Sequence, residues 1–303
     1  MLDITTYGAI DIGSNALRLI ITDVYQMPDR VQYKKITLVR VPIRLGEDVF
    51  TTGVISENKL NLLTEAISGF SHLIKAYSVK TYRACATSAM REAHNKTHVV
   101  NHIEKLTDIK IEIISGEEEA RLIHTGGLAE IINDNKTYLY VDVGGGSTEF
   151  VLYSTNKKIT SKSFPVGTVR TISNAVKPDT VSNMTKWLKK TLQKYPNPTI
   201  IGSGGNINQF QKIIENKTGK PIRAKRLRNV RGELSKLTFD ERLINIGLSY
   251  HRADVIIPAL DIFITVMKTV RAKELIVPKI GLGDGIIRQL HRDKIENNHA
   301  RTT

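Results

Sequence analysis

Tyr140-Val-Asp142-Val-Gly144-Gly-Gly-Ser-Thr-Glu149-Phe-Val is the stretch that decides the fold. An apolar strand runs into an aspartate, three glycines force a turn, and a second strand of alternating apolar residues leads away. A weaker copy lies earlier, as Ala9-Ile-Asp11-Ile-Gly13-Ser-Asn-Ala-Leu-Arg18-Leu-Ile. Each copy reads as a β-hairpin with a carboxylate at the end of its first strand. A third strand is expected after each hairpin, over residues 31–45 and 158–166.

Strand and helix then alternate in both halves. Leu60, Leu63, Ile67, Phe70 and Ile74 recur at helical spacing, with Ser56 as N-cap, so a helix is expected over 56–77. A strand over 79–86, a turn and a further helix follow. In the second half a helix over 181–192 and a strand over 199–202 repeat the order. Alternation of this kind implies α/β layers. Two copies of a hairpin plus third strand, each followed by αβα, match the layout of actin-like, ribonuclease-H-like domains, although periodicity alone allows other α/β sheets. The expected fold class is therefore α/β, with two actin-like domains of the sugar kinase/heat-shock chaperone/actin superfamily around a central cleft.

The chain has 303 residues and is 41% hydrophobic, enough for two cores. No apolar run reaches membrane-spanning length. Residues 255–267, interrupted by Pro258 and Asp261, read as a buried helix. The absence of a basic leader before an apolar stretch points to a cytoplasmic protein. The single cysteine, Cys85, excludes an internal disulfide and reads as a small buried thiol.

A net charge of +14 predicts attraction to polyanions. The excess concentrates between Lys212 and Arg231, where eight cations face Glu215 alone. That stretch is either a solvated basic face or part of a path for a long polyanion. No nucleic-acid-binding motif accompanies it, so nucleic acid is not an expected partner, and neither is a membrane.

The glycine run allows a tight turn and brings bare N–H groups to an anion. Gly144, Gly145, Gly146 and Ser147 are thus candidate phosphate ligands, and Asp142 a ligand for a divalent cation beside them. Ser14 and Asn15 form the matching loop behind Asp11, the second candidate metal ligand. Arg18 either reaches the cleft or faces solvent. Thr87, Ser88 and Arg91 lie at a strand-to-helix turn suited to an anion, or Ser88 simply caps the helix. Ser203, Gly204 and Gly205 hold the corresponding turn of the second half, as phosphate contacts or as structure.

Ser115 and Glu118 have capping-box spacing, and three acids suit the first turn of a helix. Glu119 lies on another face, where it is either a general base for water or a solvated acid. His94, His98 and His102 recur every four residues on a polar stretch and read as a solvated helical face. No HExxH, Walker A or GxSxG motif occurs.

The segments AIDIGSNALRLII, VPIRLGEDVFTTGVIS, ATSAMREAHN, IEIISGEEEARLI, YVDVGGGSTEFVL, PVGTVR, IIGSGGNINQF, HRADVIIPAL and IGLGDGII run in order from Ala9 to Ile287. In them the chain resembles the Ppx/GppA family of exopolyphosphatases and guanosine-pentaphosphate phosphohydrolases. The resemblance implies that Glu119 activates water, that Asp11 and Asp142 flank Mg2+, and that Glu149 helps position water or metal. It implies a first domain over 1–124, completed by a C-terminal helix over 284–303, and a second over 125–283.

Three departures stand out. The chain ends soon after GLGDG, without the extra C-terminal helical domains of long members. Ala16 replaces the usual Ser or Thr, and Gly283-Asp284 replaces Arg-Glu. The expected reaction is metal-assisted attack of water on the terminal phosphate of polyphosphate or of guanosine pentaphosphate. A polyphosphate- or guanosine-tetraphosphate-binding sensor and an actin-like ATP-dependent sugar kinase are the alternatives, and a homodimer is left open.

Overall fold

The computed structural model describes residues 3–132, 136–215 and 217–302. The chain divides into two compact units, Met1–Leu128 with Ile280–Thr303, and Ala129–Lys279.

In the first unit β1 (Asp3–Ile12), β2 (Leu17–Gln26) and β3 (Val31–Val41) form the expected meander. Then come α1 (Leu45–Thr52), α2 (Glu57–Ala76), β4 (Thr81–Ala86), α3 (Ser88–Glu92), α4 (Lys96–Thr107), β5 (Ile111–Ile113) and α5 (Gly116–Thr125). The sheet order is β3-β2-β1-β4-β5, with β2 antiparallel to its neighbours and β4 and β5 parallel to β1. This is the ribonuclease-H-like arrangement of an actin-like domain.

The central strand β1 is covered on both faces, which explains its nearly unbroken apolar run. Ile10 and Ile12 enter a core with Leu63, Ile67 and Phe70 of α2 and with Val99 and Ile103 of α4. Burial of each such side chain contributes about 1.5–3 kcal/mol. Ser56 caps α2 by accepting from Lys59 N at 3.3 Å. Cys85 on β4 is fully buried, and burial pushes its thiol up to about 12.

The third strand is shorter than expected. It ends at Val41, because Arg44 turns the chain in the left-handed region (φ 59°) and Leu45 opens α1. Its counterpart in the second unit ends at Phe164.

The second unit repeats the plan with β6 (Thr137–Val143), β7 (Thr148–Ser154), β8 (Lys157–Phe164), α6 (Thr168–Ile172), α7 (Thr180–Leu192), β9 (Thr199–Ser203) and α8 (Gly205–Ile213). It continues through β10 (Ile222–Arg223), α9 (Ala224–Lys236), α10 (Phe239–Ile244), α11 (Tyr250–Ala253), α12 (Ile256–Thr269) and β11 (Glu274–Ile276). The order is β10-β11-β9-β6-β7-β8, the same five-strand plan with β10 added at one edge. The buried helix read over 255–267 is α12. Pro258 falls in its first turn, where a missing N–H costs nothing. Asp261 is held by both nitrogens of Arg231, at 2.7 and 2.8 Å. Among the described residues no helix is long and apolar enough to cross a membrane.

The chain returns to the first unit as α13 (Leu282–Thr302), which packs on β1, β2 and α5. Gly285 permits the close approach, since a Cβ there would sit 1.9 Å from Leu122 O of α5. Asp284, one of the family departures, accepts from Gly281 N at 3.0 Å and pairs with Lys35 at 2.9 Å. His291 is buried on the sheet, its Nδ1 2.9 Å from Tyr33 Oη and its ring edge-on to Tyr7.

Burial, then the Lys294 ammonium, holds His291 below the usual imidazole range, with Asp3 opposing. The folded chain therefore binds this proton less readily than the unfolded chain. Its contribution is present above the unfolded pKa of about 6.5 and is lost as pH falls through the folded value. The melting temperature of wild type is expected to drop more steeply below pH 6.5 than that of His291→Phe. Parallel pH profiles for the two proteins would refute this.

Candidate functional site

In the second unit the glycine run closes through Gly144 N donating to Ser147 O at 3.0 Å. Its carbonyls are then taken up by the start of α6. Thr168 N donates to Gly144 O at 3.0 Å, and Val169 N and Arg170 N to Gly145 O at 2.8 and 3.0 Å. Arg170 Nε, on a buried side chain, donates to Gly146 O at 2.7 Å. A planar peptide with its carbonyl held toward α6 turns its N–H to the opposite side. The loop thus presents amides away from α6, the arrangement that suits an anion. A Cβ at Gly167 would lie 2.5 Å from Gly145 C and O, so only glycine lets α6 approach this closely.

The first unit repeats the device. Gly13 N donates to Ala16 O at 3.2 Å, Gly46 N to Ser14 O at 2.9 Å and Arg44 N to Asn15 O at 3.1 Å. In both units a helix opening four residues after the third strand pins the hairpin turn: Val41 to Leu45, and Phe164 to Thr168.

Asp142 and Glu149 face each other in the β6–β7 register. Glu149 is buried and accepts from Ser147 Oγ at 2.5 Å and Ser163 Oγ at 3.0 Å. Behind them Tyr140 donates to Asp142 Oδ2 at 3.4 Å and is hydrogen-bonded to Ser203. Burial first, then the Asp142 charge, pushes the Tyr140 hydroxyl well above its ordinary range, so it stays a donor. Ser203 ends β9 beside Asp142, and Gly204 (φ 113°) and Gly205 lead into α8.

Asp11 is held by its register partner Arg18, Nη1 to Oδ2 at 2.5 Å. That answers where Arg18 points: it lies on Asp11. Ser14 is buried, 2.8 Å from Ser88 Oγ, and accepts from Ala89 N at 3.2 Å. It therefore caps α3 from across the sheet. Of the two readings of Ser88, phosphate contact or N-cap, the second does not hold: it is the first helical residue, and the N-cap position is Thr87. Arg91 donates to Ile114 O at 2.7 Å and lies 3.9 Å from Glu119 Oε2.

Ser115 caps α5 by accepting from Glu118 N at 3.1 Å. Glu118 does not complete the capping box. Its carboxylate is gripped by Arg121 (2.7 and 2.9 Å) and approached by Arg83 (3.4 Å). Arg121, then Arg83, holds Glu118 below the usual carboxylate range, against burial. Glu119, with its side chain 13% exposed, is set toward Arg91 instead.

The three histidines do not share a helix face. His94 precedes α4, and only His98 and His102 lie on it, their rings 6.1 Å apart. Among the described residues no group of three His, Cys, Asp or Glu side chains is placed to hold a metal.

Arg44, Tyr140, Gly167 and Arg170 are site residues that the sequence reading missed. The repeated four-residue step from third strand to helix was the available signal for three of them. Tyr140 carried none.

These features define a protein of two ribonuclease-H-like units, each with a hairpin turn pinned by the segment that follows its third strand. The Ppx/GppA phosphatase family model matches residues 27–293, and the chain belongs to that family. It is 31% identical to a bifunctional 3-dehydroquinate synthase/phosphatase of Fusobacterium nucleatum over 69% of this chain and 34% of that protein. It is 23% identical to a guanosine-5'-triphosphate,3'-diphosphate pyrophosphatase of Aliivibrio fischeri over 98% of this chain and 62% of the relative. The chain thus spans between about a third and three fifths of these curated relatives. The crystal structure of an exopolyphosphatase from Cytophaga hutchinsonii matches with a TM-score of 0.82 and 25% identity, covering 94% of this chain and 97% of that one.

Gly167→Ala is expected to push the glycine run out of register. The thermal shift given by pyrophosphate in the wild type should shrink by more than half. An undiminished shift would show that the loop does not depend on this contact.

Proposed function

We propose that this chain is a phosphatase that removes the terminal phosphate of inorganic polyphosphate by attack of water. Glu119 carries the reading. It is a largely buried carboxylate beside Arg91, on a helix whose neighbouring acid is already neutralised. In a site for polyanions, a largely buried carboxylate set beside an arginine suits proton transfer from water.

Gly144 to Ser147 and the Gly13–Asn15 turn bind phosphate oxygens through main-chain amides. In the first unit Thr87, Ser88 and Arg91, and in the second the Ser203–Gly205 turn, add phosphate contacts. Arg18 neutralises Asp11. The water oxygen bonds to the terminal phosphorus, the bridging P–O bond breaks, and the water proton passes to Glu119. The leaving chain is shorter by one phosphate. Glu149, fixed by Ser147 and Ser163, is the second unit's carboxylate for positioning water or metal.

The donors on hand are carboxylate oxygens, which suit a hard cation such as Mg2+. Asp142 would hold it in the second unit, and Asp11, with Oδ2 engaged by Arg18, is the corresponding carboxylate of the first. One or two carboxylates, with substrate oxygens and water, fit the way Mg2+ is held in phosphate sites. When bound, the cation neutralises charge on the phosphate chain.

Polyphosphate is preferred as substrate because the chain carries a net charge of +14. Guanosine pentaphosphate is the second reading, favoured by the Aliivibrio fischeri relative's name. Phosphate release from tripolyphosphate, long-chain polyphosphate and guanosine pentaphosphate, measured side by side, separates the two. A sugar kinase would instead transfer phosphate from ATP to a hexose.

Glu119→Gln is expected to slow release by about 10²–10⁴-fold while substrate binding is retained. Wild-type turnover in that variant would sink the assignment. Asp142→Asn should raise the Mg2+ concentration needed for half-maximal binding in a calorimetric titration; an unaltered titration would remove Asp142 from this role.

A further inference from the structure

The basic stretch of the sequence is divided by the fold. Arg231 is spent on Asp261. Arg223, Lys225 and Arg226, by contrast, are exposed at the junction of β10 and α9. Ala224 N donates to Lys273 O at 2.8 Å, which brings this junction against the connection from α12 to β11. Lys268 in the last turn of α12, and Arg271 and Lys273 in that connection, are all exposed. Six cations from two segments some 45 residues apart therefore meet on one surface. Glu274, 3.9 Å from Arg223, is the acid beside them. Among the described residues no ion pair engages Lys225, Arg226, Lys268, Arg271 or Lys273.

Strand direction fixes where this surface lies within the second unit. β9 and β11 run parallel to β6, whose far end carries Asp142 and the glycine run. Leu275 is level with Ile200, so Glu274 and its register partner Arg223 stand at the beginning of β9. Ser203, at the other end of β9, pairs with Asp142. Four residues of strand separate the two levels, about 13 Å at 3.3 Å per residue. The cations thus lie at the opposite end of the sheet from the glycine run and contribute nothing to that loop.

We propose that this surface is a second docking site for long-chain polyphosphate, holding part of the chain remote from the phosphate being removed. The proposal rests on the functional reading above for the identity of the ligand. Unpaired cations on a surface away from the loop favour a polyanion of high linear charge density. All six residues are Lys or Arg, with no aromatic platform on which bases would stack, which favours a phosphate chain over nucleic acid. The chemistry also predicts a length threshold: a tripolyphosphate fits the loop alone, whereas a long chain engages both places and gains effective concentration from its connection.

The test uses the triple charge reversal Lys225→Glu, Arg226→Glu, Lys273→Glu in a Glu119→Gln background, so that substrate is bound and not consumed. All three positions are exposed, and unchanged circular dichroism and melting check the fold. Long-chain polyphosphate is expected to bind at least tenfold more weakly than to Glu119→Gln alone, with tripolyphosphate affinity unchanged. The slope of log Kd against log salt should flatten by about two, from three contacts at about 0.7 each. Equal long-chain affinity in the two proteins overturns the proposal. So does RNA that binds the surface more tightly than polyphosphate and loses that binding in the triple variant. In the Glu119-containing protein, failure to release phosphate from any polyphosphate would refute the functional reading alone. Normal hydrolysis with no length-dependent defect in the triple variant would refute the docking surface alone.

Discussion

The two hairpin turns depend on a single kind of interaction, main-chain carbonyls held by the amides that follow the third strand. In the second unit the amides of Thr168, Val169 and Arg170 hold Gly144 and Gly145, and in the first the amides of Arg44 and Gly46 hold Asn15 and Ser14. A glycine-rich turn released from this restraint would sample many peptide orientations, because glycine resists few of them. With the carbonyls fixed, the N–H groups are aimed before any anion arrives. Pre-orientation of this kind is what makes a polar site effective, since no reorganisation is left for the moment of binding. Gly167 is as much part of the glycine-rich turn as Gly145, because a Cβ there would lie 2.5 Å from Gly145 C and O.

The same restraint explains why the third strands are short. A strand continuing to Leu45, as the apolar pattern over 31–45 suggests, would carry Arg44 and Gly46 away from the turn. Breaking at Val41 and turning at Arg44 in the left-handed region brings α1 back to it. Arg44 is an unusual residue for a positive φ. Its buried guanidinium, paired with Glu47 at 2.7 Å, accompanies that conformation.

Much of this was legible. The hairpins, the central strands and α2 follow from period-two and helical spacing, and the pairing of Asp11 with Arg18 is already contained in the register of a hairpin closed at Gly13 and Ala16. What was not legible depends on contacts between distant segments. Ser14 caps α3 from 74 residues before Ser88, so local pattern assigned the cap to Ser88 itself. Linear charge density suggested one basic face over 212–231, yet the turn into β10 and the amphipathic α9 spend Arg231 on an ion pair and set Arg223, Lys225 and Arg226 at an exposed corner. The corner is completed by Lys268, Arg271 and Lys273, which no reading of the basic stretch alone would include. The capping-box spacing of Ser115 and Glu118 was half right: the serine caps, while two arginines outcompete the returning carboxylate.

The division of labour between Glu118 and Glu119 rests on the C-terminal segment. Adjacent residues on a helix differ by about 100° in direction, so Glu118 and Glu119 meet different arginines, Arg121 and Arg83 on one side and Arg91 on the other. Glu118 is neutralised by Arg121, and Arg121 is itself held by Gln289 of α13 at 3.0 Å. Gly285 lets α13 lie directly on Leu122 of the same helix. The partner of Glu118 is thereby held by a residue 168 positions later, on a helix that follows the second unit in the chain. Closing such non-local contacts is slow and costs loop entropy. In return, Arg121 is held in place on Glu118 only once the returning helix has packed on α5.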